Sequence, residues 1–183
     1  MRHVMIDIET LGTRPGSVIL SIGAAKFDPM QLEGEVIVDT FHQAITLASC
    51  TSVGLRMEAE TVEWWLDGAR RTAWDQLQSM EKVQLDEALL GLSDWLRVDE
   101  TTRIWACGAD FDCVLLKTAY DVTGIPCPWT FRQTRCFRTF KALAPGVRRP
   151  DTAWTAHNAL DDARTQALWM RDLVEFLGIG EPQ

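Results

Sequence analysis

Apolar residues alternate with other types from His3 to Glu9, at Val4, Ile6 and Ile8, the period-two pattern of a strand. Leu11-Gly12-Thr13-Arg14-Pro15-Gly16 is rich in turn residues. Val18 to Phe27, rich in Ile, Val, Ala and Gly, predicts a second strand that ends at Asp28-Pro29, and Gly34 to Phe41 predicts a third. Short connections between them suggest an antiparallel meander. The period then lengthens. Thr61 to Leu66, Arg70 to Met80 and Gln84 to Leu96 read as helices, the last with Leu85, Ala88, Leu89, Leu92 and Leu96 in one apolar stripe. Thr102 to Ala106 reads as a short strand broken at Cys107-Gly108, and Cys113 to Val122 as a helix ended near Gly124 and Pro126. Pro128 to Asp151 has no clear period and is expected to hold a short strand and a short helix. Asn158 to Leu177 predicts a long final helix, apolar at Leu160, Ala163, Ala167, Met170, Leu173, Val174 and Leu177.

Three antiparallel strands followed by helices alternating with short strands predict an α/β domain with a mixed sheet. No linker is evident, so residues 1–183 are expected to form a single domain. Composition adds bounds. A chain of 183 residues, 46% hydrophobic and 24% charged, can bury a sizeable core and is not a disordered, coiled-coil or collagen-like sequence. No apolar run has the ~18 residues of a membrane span, and Asp7 interrupts the N-terminus too early for a signal peptide. A soluble, cytoplasmic protein with no membrane partner is expected. Cys50, Cys107, Cys113, Cys127 and Cys136 show no CxxC spacing and read as free thiols. The net charge of −8 argues against passive coating of nucleic acid but leaves open an enzyme that acts on it through carboxylates and cations.

Three constellations carry chemistry. Asp7 and Glu9 point to one face of the first strand. Paired acids at the end of an apolar strand suit Mg²⁺ or Mn²⁺, or else lie at a solvated edge. Asp110 and Asp112 follow the Ile104-Trp105-Ala106 strand, where ligand groups often sit and where an acid also caps the next helix. His157, Asp161 and Asp162 open the last helix, where acids also complement the macrodipole.

Together, in this order, the three resemble the DEDDh 3′–5′ exonucleases, which have a ribonuclease-H-like fold. Asp7-Ile8-Glu9-Thr10 is similar to their first motif, Phe111-Asp112 with Leu115-Leu116 to the second, and His157-x-Ala159-Leu160-x-Asp162-Ala163 to the third. Thr10-Leu11-Gly12-Thr13, Glu63-Trp64-Trp65, and Arg138-Thr139-Phe140-Lys141 with Ala144-Pro145 resemble the small phage and bacterial subgroup, which contains the phage exonuclease A type and a mycobacterial exoribonuclease type.

The resemblance implies a ribonuclease-H-like mixed sheet, three antiparallel strands followed by parallel ones, flanked by helices. It implies hydrolysis of phosphodiester bonds at single-stranded RNA or DNA 3′ ends, releasing nucleoside 5′-monophosphates. Two divalent cations, Mg²⁺ or Mn²⁺, roughly 3.5–4 Å apart, would be held by Asp7, Glu9, Asp112 and Asp162. His157 would be the general base, a role that the ordinary histidine pKa of ~6.5 suits. Helical spacing alone puts Asp161 nearer the face of His157, whereas the family pattern selects Asp162; likewise it selects Asp112 over Asp110. Thr10, Leu11, Gly12 and Phe111 would lie near the terminal nucleotide, with Leu11 as a wedge against its base. Trp64 and Trp65, about 100° apart on a helix, cannot both face it; either is otherwise a core anchor. Phe131 to Arg149 holds Arg132, Arg135, Arg138, Lys141, Arg148 and Arg149 and no acid, which suits phosphates, a solvated face or a subunit interface. A homodimer fits the superfamily. The alternatives are a ribonuclease-H-type endonuclease, disfavoured by the histidine, and a catalytically silent nucleic-acid-binding module, disfavoured by the filled catalytic positions.

Overall fold

The computed structural model describes residues 2–31 and 34–179; residues 1, 32–33 and 180–183 lie outside them. A six-stranded mixed sheet has the order β4-β3-β2-β1-β5-β6. β1 (Arg2–Thr10), β2 (Ile19–Phe27) and β3 (Ile37–Ile45) form the antiparallel meander. β5 (Thr102–Ala106) runs parallel to β1, and β6 (Thr134–Cys136) parallel to β5. The central strand β1 thus carries antiparallel pairing on one side and parallel pairing on the other, the ribonuclease-H-like arrangement.

The two faces of β1 do different work. Val4, Ile6 and Ile8 join the larger core beneath α4 (Leu85–Leu96) and α5 (Asp112–Thr123). Met5 faces the other way, into a second core built with α6 (Phe137–Ala142) and α7 (Ala159–Phe176). Asp7 and Glu9 continue that second face toward the end of the strand. Gly124, in the left-handed conformation at φ 71°, closes α5 in the usual C-terminal motif, with the Ile125 N–H donating to the Tyr120 carbonyl.

Several elements depart from the expected pattern. The third strand begins three residues later and ends four residues later than Gly34–Phe41. A short helix α1 (Leu47–Ser52) follows it, a position with no clear helical period. α2 (Ala59–Leu66) and α3 (Arg71–Ser79) are two helices, as expected; between them lies a 3₁₀ turn at Gly68–Arg70, capped by the Asp67 side chain, which accepts from the Ala69 N–H. β4 is only Lys82–Val83, too short for a period to show, and pairs with Ala44 and Ile45. Among the described residues no helix is long and apolar enough to cross a membrane.

α7 lies on β2 through small residues. Ser21, Gly23 and Ala25 sit opposite Glu9, Asp7 and Met5 and so share their face. Ala159, Ala163 and Ala167, spaced at i+4, are fully buried along the helix. A Cβ on Gly23 would lie 2.1 Å from the Ala159 carbonyl carbon and 2.2 Å from the Leu160 nitrogen. Only the missing side chain lets the helix start this close to the strand. Gly23→Ala therefore forces backbone to move and is expected to cost about 2 kcal/mol as overpacking, lowering the melting temperature by roughly 4–8 °C. An unchanged melting curve would show that the seam yields freely.

Candidate active site

β1, α5 and α7 bring four acids together. β1 contributes Asp7 and Glu9 from one face. Asp112 is the first residue of α5, just beyond β5. The β1–β5 ladder ends at Met5 opposite Trp105. Past that point the Ile8 N–H donates to Asp112 Oδ1 at 3.2 Å, so the carboxylate takes over where strand pairing stops. Asp162 and His157 come from the entry of α7. Asn158 caps the helix, accepting from the Asp161 N–H. His157 precedes the cap with φ 64°, a left-handed conformation uncommon for a residue with a side chain. Its N–H donates to Asp162 Oδ2 at 2.8 Å. The five-residue step from histidine to acid is thus a loop-to-helix hydrogen bond, to which helical spacing does not apply.

Ligand atoms of Glu9, His157 and Asp162 lie within 4.8 Å of one another. Asp161 does different work, accepting from the Thr155 N–H and pairing with Arg164 at 3.7 Å. Asp110 is exposed in the turn before α5, close enough for its charge to act on Asp112.

The acids repel one another. Asp7 and Glu9 are half-buried. Burial, then the charges of Asp112, Glu9 and Asp162, push Asp7 well above the usual carboxylate range, against one hydrogen bond from Gln166. Burial, with the charges of Asp162 and Asp112, pushes Glu9 up to about 8. Burial pushes Asp112 up to about 7, although the Ile8 N–H and the charge of Arg138 favour its ionised form. Arg149 pairs with Asp162 Oδ1 at 3.0 Å. An all-oxygen cluster with so little compensating charge fits a hard divalent cation.

Two contacts escaped the sequence pattern. Gln166 Nε2 donates to Asp7 Oδ1 at 2.8 Å, while its Oε1 is buried without a hydrogen-bond partner among the described residues. An orphaned acceptor beside the acids suits a hydrated ion. The available signal was its position four residues after Asp162, on one helix face. Arg149 stood in the basic segment but carried nothing to link it to Asp162.

The expected substrate residues divide. Thr10 and Leu11 are buried, with Thr10 Oγ1 donating to the Gly12 carbonyl and Leu11 in the larger core. A Cβ on Gly12 would meet Ser17 Oγ at 2.4 Å. Trp65 is buried and donates its indole N–H to the Thr10 carbonyl at 2.9 Å. Trp64 is partly open, edge-on to the His157 ring at 4.9 Å, with the Arg70 guanidinium 4.2 Å from its ring centre. Beside Glu9 is a cleft of about 360 Å³, walled by Thr10, Trp64, Trp65 and Phe111. Arg138 donates to the Cys107 carbonyl at 3.0 Å, on the Asp112 side.

The fold is that of the DEDDh-type 3′–5′ exonucleases. Residues 2–174 match the 3′–5′ exoribonuclease Rv2179c-like domain family, and the chain belongs to that family. No curated protein matches the sequence. Among solved structures, the chain is similar to the nuclease domain of 3′hExo, a DEDDh family member bound to rAMP, with a TM-score of 0.64 and 16% identity, covering 96% of this chain and 92% of that one. It is also similar to cell-death related nuclease 4, with a TM-score of 0.62 and 13% identity, over 96% of this chain and 64% of that one. E. coli exonuclease I in complex with a dT13 oligonucleotide gives a TM-score of 0.67 and 15% identity, over 94% of this chain and 41% of that one. These likenesses establish the ribonuclease-H-like fold. A zinc-ion-bound form of E. coli exonuclease I accords with the metal dependence of DEDDh exonucleases.

Two outcomes follow from the acid cluster. A carboxyl raised in the folded state holds a proton that the unfolded chain has released, so its contribution falls as pH rises from the unfolded value near ~4 through the folded one. Metal-free protein should therefore lose melting temperature across the interval containing the values of about 7 for Asp112 and about 8 for Glu9. His3 and His42, both lowered by burial, act in the opposite sense chiefly below the ordinary imidazole pKa. Melting in EDTA from slightly acidic to mildly alkaline pH should show the fall, Glu9→Gln should flatten it, and Mn²⁺ should reverse it. A slope unaffected by Glu9→Gln would remove this account. Separately, Gln166→Leu should weaken Mn²⁺ affinity about ten-fold in calorimetry. Unaltered affinity with lower stability would make Gln166 a packing residue.

Proposed function

We propose that the protein removes nucleotides one at a time from the 3′ end of single-stranded RNA and releases nucleoside 5′-monophosphates. The convergence of Glu9, His157 and Asp162 ligand atoms within 4.8 Å, beside a nucleotide-sized cleft, carries this reading. The family favours RNA over DNA.

Asp7, Glu9, Asp112 and Asp162 would hold two divalent cations, Mg²⁺ or Mn²⁺. Such ions supply Lewis acidity, offsetting charge on the phosphoryl oxygens and making water easier to deprotonate. His157 takes the proton of the attacking water on a ring nitrogen and passes it to solvent, to which it is exposed. The hydrogen bond from its backbone to Asp162 and the edge of Trp64 fix the ring's approach. Gln166 holds Asp7 in one rotamer. The terminal base enters the cleft between Trp64 and Phe111, whose wall at Thr10 is braced by the indole N–H of buried Trp65.

The test uses 5′-labelled RNA and DNA of matched sequence, with Mn²⁺ or EDTA. A ladder shortening by single nucleotides from RNA is expected with Mn²⁺ alone. Asp7→Asn should abolish it, and His157→Ala should lower kcat by about 10²–10⁴-fold with little change in RNA binding. Internal fragments would indicate an endonuclease instead. Equal turnover by Asp7→Asn would overturn the metal assignment, and a loss confined to affinity in His157→Ala would overturn the base.

A further inference from the structure

Beyond the site, the segment from Phe131 to Arg149 gathers cations without acidic partners, which elsewhere among the described residues occur singly, at Arg56, Lys82, Arg97 and Arg103. The described residues form ion pairs elsewhere on the surface. Among them none of Arg132, Arg135, Arg138, Lys141 and Arg148 is paired with a carboxylate; only Arg149 of the segment is, with Asp162. In a chain of net charge −8, a run of unmatched cations is a local exception. It attracts a polyanion.

The same segment borders a groove of about 960 Å³ between α5 and β6. Its walls include Val114, Cys127, Trp129, Phe131 and Arg135. Phe131 is 84% exposed, the most open large apolar side chain among the described residues. The Arg132 guanidinium lies 5.8 Å from its ring centre. An open aromatic ring beside guanidinium groups is the combination that binds unpaired bases and their phosphates.

The groove adjoins the cleft beside Glu9. Ala109 and Asp110 line the groove, whereas Phe111, the next residue, lines the cleft. The turn that ends in Asp112 is therefore the common wall of both. Arg138 lies across this turn: a Cβ on Gly108 would be 3.0 Å from its guanidinium. Arg138, Arg135 and Arg132 recur every three residues from that turn toward Phe131.

We propose that the groove is a subsite for the upstream part of a single-stranded RNA substrate. A base on the 5′ side of the scissile bond stacks on Phe131, and Arg132 and Arg135 contact the adjoining phosphates. This rests on the exonuclease reading, which places the 3′ end in the cleft beside Glu9. It adds that grip on the substrate depends on a strand long enough to cross the Asp112 turn.

The test compares wild type, Phe131→Ala and Arg135→Gln on RNAs from a dinucleotide to about a dozen nucleotides, the span of a single-strand site. RNA affinity is also measured by fluorescence anisotropy in the inactive Asp7→Asn background. One lost stacking contact corresponds to about ten-fold. Each substitution should shrink the advantage in kcat/KM of the longest RNA over the dinucleotide by that factor, through KM rather than kcat, and weaken long-RNA affinity equally. Equal penalties at every length, or none at any length, would overturn the subsite. Loss of affinity for a polyglutamate peptide with RNA affinity intact would assign the groove to an acidic protein and likewise overturn it. If wild type cleaves no RNA with Mn²⁺, the exonuclease reading fails, and the anisotropy comparison still decides the groove.

Discussion

The close contact between Gly23 and the first turn of α7 is the constraint on which the site depends. Backbone meets backbone there, since a single Cβ would lie 2.1 Å from the Ala159 carbonyl carbon. Gly23 is the register partner of Asp7, so the helix is anchored beside the strand residue whose acid it must face. Ala163 and Ala167 continue the contact away from the site, and Gln166 emerges toward Asp7 from the same helix. Small side chains on both elements have almost no rotamer entropy to lose on packing. The position of Asp162 and His157 is consequently set by main-chain geometry.

Placing these acids together works against folding. Asp7, Glu9 and Asp112 are desolvated and repel one another, and the protein offers them little relief: an amide from Gln166 to Asp7, a backbone N–H to Asp112 and the nearby charge of Arg138. The two hydrophobic cores on either side of the sheet supply the stability that the cluster removes. A hard cation converts the repulsion into attraction. The cluster therefore makes sense as a site prepared for a charge that arrives later, in keeping with the exonuclease family to which the chain belongs.

Much of this architecture was legible in the order of the residues. Alternation at Val4, Ile6 and Ile8 announced β1, and the two-residue step from Asp7 to Glu9 put both acids on one face. The stripe from Leu85 to Leu96 announced α4. Short elements were harder to read. β4 spans two residues and depends on a partner strand far away in sequence, and α1 follows β3 where no helical period shows. Neighbouring tryptophans are equivalent in sequence, yet Trp65 is held by the Thr10 carbonyl and Trp64 borders His157. Gln166 and Gly23 carry no motif; their roles exist only through contact across the fold. His157 and Asp162 were the inverse case, joined by a hydrogen bond that ideal helix spacing would have assigned to Asp161.

Asp112 belongs to two systems at once. Its carboxylate accepts the Ile8 N–H just where β1 and β5 stop pairing, so it completes the backbone of the sheet as well as the ring of acids. The two duties make different demands. The sheet asks for an oxygen acceptor, which an asparagine also provides; the acid ring asks for a negative charge, which it does not. Alanine provides neither and leaves a buried donor unsatisfied. Substitutions at this position therefore form a small alphabet, in which the amide spells chemistry and the alanine spells architecture.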